Sequence, residues 1–332
     1  MFALRPKKIV CFDELWTSEY RMEEHRQPTG MASLGQLASG GTPAYVAAAI
    51  AKLGGDSRYI GKIGSDASGL YLRNELEAAG VEAALVGMNM GIDSKAWTGQ
   101  CEENEQESGD KMASDCVTDV MDTNRKTADF DDTWLDDVAV YHYGSAPLKK
   151  ELSQTSALAA ARRIKAAGGL TCCCPNSSAD LWPDEVTMRQ DLRIHIGTAD
   201  IVKVNEEEAA ILTGLEPAEG VQQLLEMGAK AVVVTLGEYG CCVITRQAMT
   251  SIPGIRVKSI DPSGAGDSFV GAMLLKLAER GVTPEQIETI LNDEEQVRSI
   301  FSFANKAGAM TTTRHGVFAA LPTMEELERL ED

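Results

Sequence analysis

Asp261-Pro262-Ser263-Gly264-Ala265-Gly266-Asp267 runs directly into Ser268-Phe269-Val270-Gly271-Ala272-Met273-Leu274-Leu275-Lys276-Leu277. Two glycines and two small residues precede an apolar segment with helical spacing. This reads as a turn entering a buried helix. A Gly-rich turn at a helix start points several backbone N–H groups outward, and the helix dipole favours negative charge there. Such a turn can hold a phosphate while charge moves through it. Asp267 stands at its mouth, where a carboxylate repels a resting anion. The placement makes sense if Asp267 takes a proton from a hydroxyl that attacks a phosphoryl group. Taken alone, residues 264–267 fit a plain helix start with an acid in its first turn equally well.

With 332 residues the chain can bury a substantial core, as one large domain or two small ones. Its 44% hydrophobic and 24% charged content is that of a soluble globular protein. A net charge of −19 argues against nucleic acid and anionic membranes as partners, because phosphate-rich surfaces select basic proteins. The longest apolar run, 44–51, is alanine-rich and falls well short of the ~18 residues of a membrane span. Arg5, Lys7 and Lys8 precede only the brief run 9–12 and then Asp13-Glu14, which reads as a first strand and not a signal peptide. Of eight cysteines, Cys11, Cys172, Cys173, Cys174, Cys241 and Cys242 fall in expected buried strands, and Cys101 and Cys116 do not. Adjacent cysteines on a strand face opposite ways, so the triplet at 172–174 cannot converge on one metal. Free cysteines acting as small hydrophobes in a reducing cytoplasm are expected.

Short β-rich runs alternate with longer helical patterns. Strands are expected at 8–12, 58–63, 138–143, 169–174, 201–204, 231–235 and 241–245. Helices are expected at 42–53, 68–79, 152–167, 183–195, 206–213, 217–227, 265–280, 284–291, 293–310 and 324–330. Ala231-Val232-Val233-Val234 is apolar on both faces, so the alternation implies a mostly parallel sheet covered by helices on both sides. Ligands of such sheets bind beyond the carboxyl ends of the strands. Segments 14–39 and 85–132 are polar and irregular, and read as a small β lid over that edge or as plain surface loops.

Two further segments suit a nucleotide. Thr235-Leu236-Gly237-Glu238-Tyr239-Gly240 joins two strands, and its glycines permit close approach of a ligand to the backbone. Lys203-Val204-Asn205-Glu206-Glu207-Glu208 leaves a strand for a helix. Asn205 and Glu208, three apart, offer oxygen ligands to a hydrated Mg²⁺. A solvated, N-terminally acidic helix is the plainer account of the glutamates.

In combination these segments resemble the ribokinase/PfkB carbohydrate kinase family, most closely its fructokinase and 2-keto-3-deoxygluconate kinase branch. The resemblance spans nearly the whole chain. Gly40-Gly41-Thr42-Pro43-Ala44-Tyr45-Val46-Ala47 looks like the family's glycine-pair motif, and 53–69 like its continuation. Asn205-Glu206-Glu207-Glu208 matches its N-x-x-E motif. Residues 261–267 match its D-T-x-G-A-G-D signature, with Pro262 and Ser263 as departures. Residues 303–309 and Arg314-His315-Gly316 resemble its adenine-side end. The resemblance implies a single ribokinase-like α/β domain over 1–332, with a β lid from 14–39 and 85–132. It implies transfer of the γ-phosphoryl group of ATP to a primary alcohol of a sugar-like molecule. Asp267 would be the base and the amides of Gly264, Ala265 and Gly266 the anion hole. Asn205 and Glu208 would position Mg²⁺ and phosphates. Thr235, Gly237, Gly240 and Asn305 would line the nucleotide site. Asp261 and Ser263 would lie near a monovalent-cation loop, for which K⁺ is the expected ion. Gly40, Gly41, Tyr45, Asn176 and Asp267 would face the acceptor, and the lid would serve as a homodimer contact.

The acceptor side departs from the family pattern. Ser18 falls where members usually carry an Asp that holds sugar hydroxyls, and Tyr45 where an Asn is common. Residues 174–182 keep Asn176 but lack the Asp and Arg of the fructokinase-like D-x-N-x-R pattern. Hydrogen bonds to such hydroxyls carry strong discrimination, so fructose and acidic sugars both fit poorly. An atypical acceptor is expected. A nucleoside stacked on Tyr45 and a non-catalytic binding protein are the alternatives.

Overall fold

Val232, Val233 and Val234 are all buried, and the five-residue strand that holds them lies deep in a sheet with helices on both faces. The structure, a computed structural model, describes residues 8–12, 16–19, 37–40, 42–62, 67–86, 132–144, 151–175 and 184–330. Its strands are β1 (Lys8–Phe12), β2 (Trp16–Glu19), β3 (Leu37–Gly40), β4 (Ser57–Lys62), β5 (Glu82–Val86), β6 (Val138–Gly144), β7 (Leu170–Cys174), β8 (Ile201–Asn205), β9 (Ala231–Thr235), β10 (Gly240–Thr245) and β11 (Met249–Pro253). Its helices are α1 (Thr42–Lys52), α2 (Ala67–Ala79), α3 (Glu151–Ala166), α4 (Glu185–Thr198), α5 (Glu206–Thr213), α6 (Pro217–Met227), α7 (Ala265–Glu279), α8 (Ile287–Leu291), α9 (Glu294–Thr311) and α10 (Met324–Arg329).

Nine strands form one sheet in the order β11-β10-β9-β8-β7-β6-β1-β4-β5. From β9 to β5 every pairing is parallel, and β10 runs antiparallel to both neighbours. The expected mostly parallel sheet is therefore present. Alternate strand residues feed two cores. Ile9, Cys11, Val140, Cys172, Ile201 and Val233 meet α1, α7 and α9 on one face. Val10, Tyr141, Cys173, Val202 and Val232 meet α3, α4, α5 and α6 on the other. Each fully buried Val or Leu contributes roughly 1.5–3 kcal/mol.

Gly271 lets α7 lie tight on α1, since a Cβ there would come within 2.8 Å of Ala49 Cβ and 3.0 Å of the Val46 carbonyl. That contact sets where the N-terminus of α7 meets the carboxyl edge of the sheet.

β2 and β3 pair antiparallel in a separate two-stranded sheet, with Ser18 opposite Ala38. This agrees with strand character in the first expected lid segment. The start of the second segment at 85 needs correction. Leu85 and Val86 pair with Gly61 and Lys62 and so belong to the main sheet. Most of both segments lies outside the described residues.

Candidate active site

Gly264 caps α7 with φ +76° and ψ −1°, in the left-handed region. A Cβ there would lie 2.5 Å from Val317 Cγ1, so both backbone and space demand glycine. The first-turn N–H groups of a helix have no intrahelical acceptor; here the Ala265 amide donates to the Pro262 carbonyl at 3.2 Å. The turn is braced from below. Ile260 and Asp261 amides donate to the Thr312 carbonyl at 2.7 and 3.0 Å. The Asp261 carboxylate accepts from the Ser263 amide at 2.9 Å and the Gly316 amide at 3.2 Å. The Ser263 hydrogen bonds hold the Asp261 carboxyl below the usual carboxylate range. Asp261 and Ser263 thus come together, and both Asp261 oxygens fasten loops. The carboxylate acts as a loop brace.

Asp267 is half-buried in the first turn of α7. Burial pushes its pKa up to about 7, Glu208 adds to the rise, and the Lys203 ammonium opposes it. Lys203 comes from the middle of β8, and its Nζ lies 3.9 Å from Glu208 Oε2. A Cβ on Gly266 would sit 3.5 Å from the same Nζ, so the ammonium faces the glycine turn. An acid ionising near neutrality, a cation and a helix N-terminus thus converge. That combination accepts a proton and stabilises an anion.

Asn205 and Glu208 do meet, but as a capping box. Asn205 Oδ1 accepts from the Glu208 amide and Glu208 Oε2 from the Asn205 amide, each at 2.7 Å. The glutamates stand in the first turn of α5, where the dipole favours them. The amide and carboxylate oxygens suit Mg²⁺ held through water, since each already serves a cap.

A cavity of about 590 Å³ opens beside the α7 turn, and Ala265 and Gly266 form part of its wall. Thr235, Gly237, Gly240 and Asn305 all line this one cavity. Gly240 has φ +97°, and a Cβ there would collide with the Ile252 carbonyl, so glycine lets β10 close on β11 at the cavity wall. Asn305 also braces the structure, because its Nδ2 donates to the Pro253 carbonyl at 3.0 Å and ties the end of β11 to α9. Sequence reasoning missed Lys203 and the wall formed by Ile255, Arg256, Val257 and Ser259. For that wall the one available signal was its position just after Pro253-Gly254.

The acceptor side is only partly described. Gly40 ends β3, while Gly41 and Asn176 lie outside the described residues. Tyr45 is 5% exposed and packs edge-on against Phe318 with ring centroids 5.0 Å apart. Stacking on a base would require the ring to leave that packing.

Residues 6–324 match the family model for pfkB family carbohydrate kinases. Over 295 residues the chain is 35% identical to probable fructokinase-5 of Arabidopsis thaliana, covering 88% of each chain. It is 35% identical to fructokinase-2 of Zea mays, over 88% of this chain and 85% of that one. The structure of fructokinase with bound ATP from Xylella fastidiosa is similar at a TM-score of 0.77, with 26% identity over 97% of both chains. A Vibrio cholerae fructokinase double mutant in its fructose-, ADP- and potassium-bound form is similar at a TM-score of 0.72 and 26% identity, over 97% of both chains. On the extent of these matches, and on the glycine turn, acid and cavity described above, the chain belongs to the pfkB family of carbohydrate kinases.

Proposed function

We propose that this protein phosphorylates a primary hydroxyl of a sugar, with ATP as donor. The observation that carries the reading is the convergence of Asp267 and Lys203 at the α7 N-terminus, where the turn walls a nucleotide-sized cavity. Asp267 takes the proton of the acceptor hydroxyl at its carboxylate. The amides of Gly264 and Gly266 face the charge that develops on the transferred group, while that of Ala265 is held by the Pro262 carbonyl. Lys203 lowers the pKa of Asp267, which keeps a larger fraction ionised at neutral pH. Thr235, Gly237 and Gly240 admit the nucleotide by exposing backbone, and Asn305 holds that wall in place. Asn205 and Glu208 would hold Mg²⁺, which would offset the charge of the phosphates. When bound, the nucleotide supplies the γ-phosphoryl group. The β2–β3 ribbon serves as a lid that excludes water, and as the contact of a homodimer.

Fructose is the first acceptor to try, because relatives at 35% identity are named fructokinases. The departures at Ser18, Tyr45 and 174–182 favour a second reading, in which the nucleotide binds but no sugar is phosphorylated. A screen of sugars, sugar acids and nucleosides, read as ADP release with Mg²⁺ and with or without K⁺, separates the two. ADP release stimulated by a sugar supports the kinase. Binding of ATP with no acceptor-dependent ADP release supports the second reading.

A further inference from the structure

The phosphotransfer site makes no use of the cysteines, yet three sulfur or nitrogen ligand atoms gather on one face of the sheet. His142 on β6 pairs in register with Cys172 on β7 and Cys11 on β1. Cys174 lies two residues beyond Cys172 and therefore on the same face. One ligand atom each from His142, Cys172 and Cys174 lies within 4.8 Å of the others. His142 is fully buried, and neither of its ring nitrogens has a hydrogen-bond partner. A buried polar group left in that state costs about 1–3 kcal/mol. Such a cost calls for an occupant that the imidazole can bind.

We propose that His142, Cys172 and Cys174 form a binding site for one thiophilic d¹⁰ cation of the zinc type. Adjacent cysteines cannot converge, and Cys173 does face the opposite core; the pair at 172 and 174 can. Tetrahedral zinc, with bonds of about 2.0–2.3 Å, places its ligand atoms roughly 3.5–3.8 Å apart. The cluster therefore needs to contract by about an ångström, within reach of side-chain rotation. The buried imidazole, with no hydrogen-bond partner at either nitrogen, has a lone pair free to ligate. Binding then releases one proton from each of the two thiols to solvent, and affinity falls as pH is lowered. The fourth position falls to water or to Cys11, which pairs in register with His142 and faces the same core. Cys174 is half-buried at the end of β7 and provides the way in.

The probes are Zn²⁺, for stoichiometry against a competing chelator, and Co²⁺, for its thiolate charge-transfer and tetrahedral d–d absorption. The full chain is used after chelation and reduction. The expected result is one ion per chain, with a spectrum of two thiolates. Cys174→Ala should lose at least tenfold in affinity and about half of the charge-transfer intensity. Cys242→Ala, a half-buried cysteine on β10, should change neither. X-ray absorption on the zinc-loaded wild-type protein should give two sulfurs and at least one nitrogen, and it reads the site even if a variant fails to fold. The proposal is overturned by an oxygen-and-nitrogen shell, by no binding at micromolar zinc, or by unchanged stoichiometry and spectrum in Cys174→Ala. The last outcome would place binding on other thiols, such as Cys101 or Cys116.

Discussion

Replacing Asp267 by Asn should disable the enzyme and stabilise the fold together. The carboxyl pKa stands at about 7 instead of 3.8, chiefly through burial. At about 1.36 kcal/mol per pH unit, that rise corresponds to about 4 kcal/mol of cost for holding the charged form in the native state. The sign follows from proton binding. Between pH 3.8 and about 7 the native state binds this proton more tightly than the unfolded chain, so its contribution to stability is lost as pH rises through that window. Asn carries no such charge and is close in size. Urea unfolding should therefore show little difference between the variant and wild type near pH 4. The variant should become more stable by ~1–4 kcal/mol at pH 8. Single-turnover transfer should fall by roughly 10²–10⁴, the usual worth of a positioned base. ATP affinity should hold or tighten, since one negative charge near the phosphates is gone. Wild-type turnover in Asp267→Asn, or a stability gain that does not grow with pH, would refute the reasoning.

Lys203→Met removes the cation that lowers the Asp267 pKa, so the acidic limb of the kcat/KM–pH profile should move up from about 7 by roughly one unit or more; an unmoved limb would detach Lys203 from the base. Gly264→Ala forces a left-handed residue against Val317 and should cost at least about 1–2 kcal/mol, read as a lower melting temperature with loss of turnover. His142 and His195 are buried with pKa values lowered to about 3 and about 4. In the unfolded chain they bind protons from about 6.5 downward, so acidification should destabilise the fold by up to ~1.4 kcal/mol per pH unit for each between pH 6.5 and 4. Unfolding of Asp267→Asn across that range isolates the effect from the opposing carboxyl, and a flat profile would contradict it.

The interior of the sheet is legible in the sequence because strands such as β9 are apolar on both faces, and their ends fall within a residue or so of expectation. Met249–Pro253 and Glu82–Val86 carry no comparable signal. They are the two edges of the sheet, and β11 alternates exposed and half-buried residues around a single buried Ile252. Edge strands need only one covered face, so they lack the continuous apolar run. Helix α4 starts later than 183 because Asp184 caps it, accepting from the Thr187 amide at 2.8 Å. It also continues past His195 through Gly197, whose missing side chain admits the Met227 carbonyl. The glycine turn and Asp267 are readable because phosphate chemistry writes a local pattern. Lys203 stands in plain sight, but a single lysine on a strand has no spacing signature; its role emerges only once β8 and α7 are brought together. The grouping of His142 with Cys172 and Cys174 depends on strand register, which local sequence does not carry.

The most direct test follows the γ-phosphoryl group itself. The wild-type protein is mixed in excess over γ-labelled ATP with Mg²⁺ and fructose, quenched on the millisecond-to-second scale, and the label is located by mass spectrometry. Label is expected on the sugar, one sugar phosphate per ADP, with a rate that falls as pH drops through about 7. Label appearing as free phosphate, or remaining on bound ATP with fructose and with every acceptor of the screen, would contradict it.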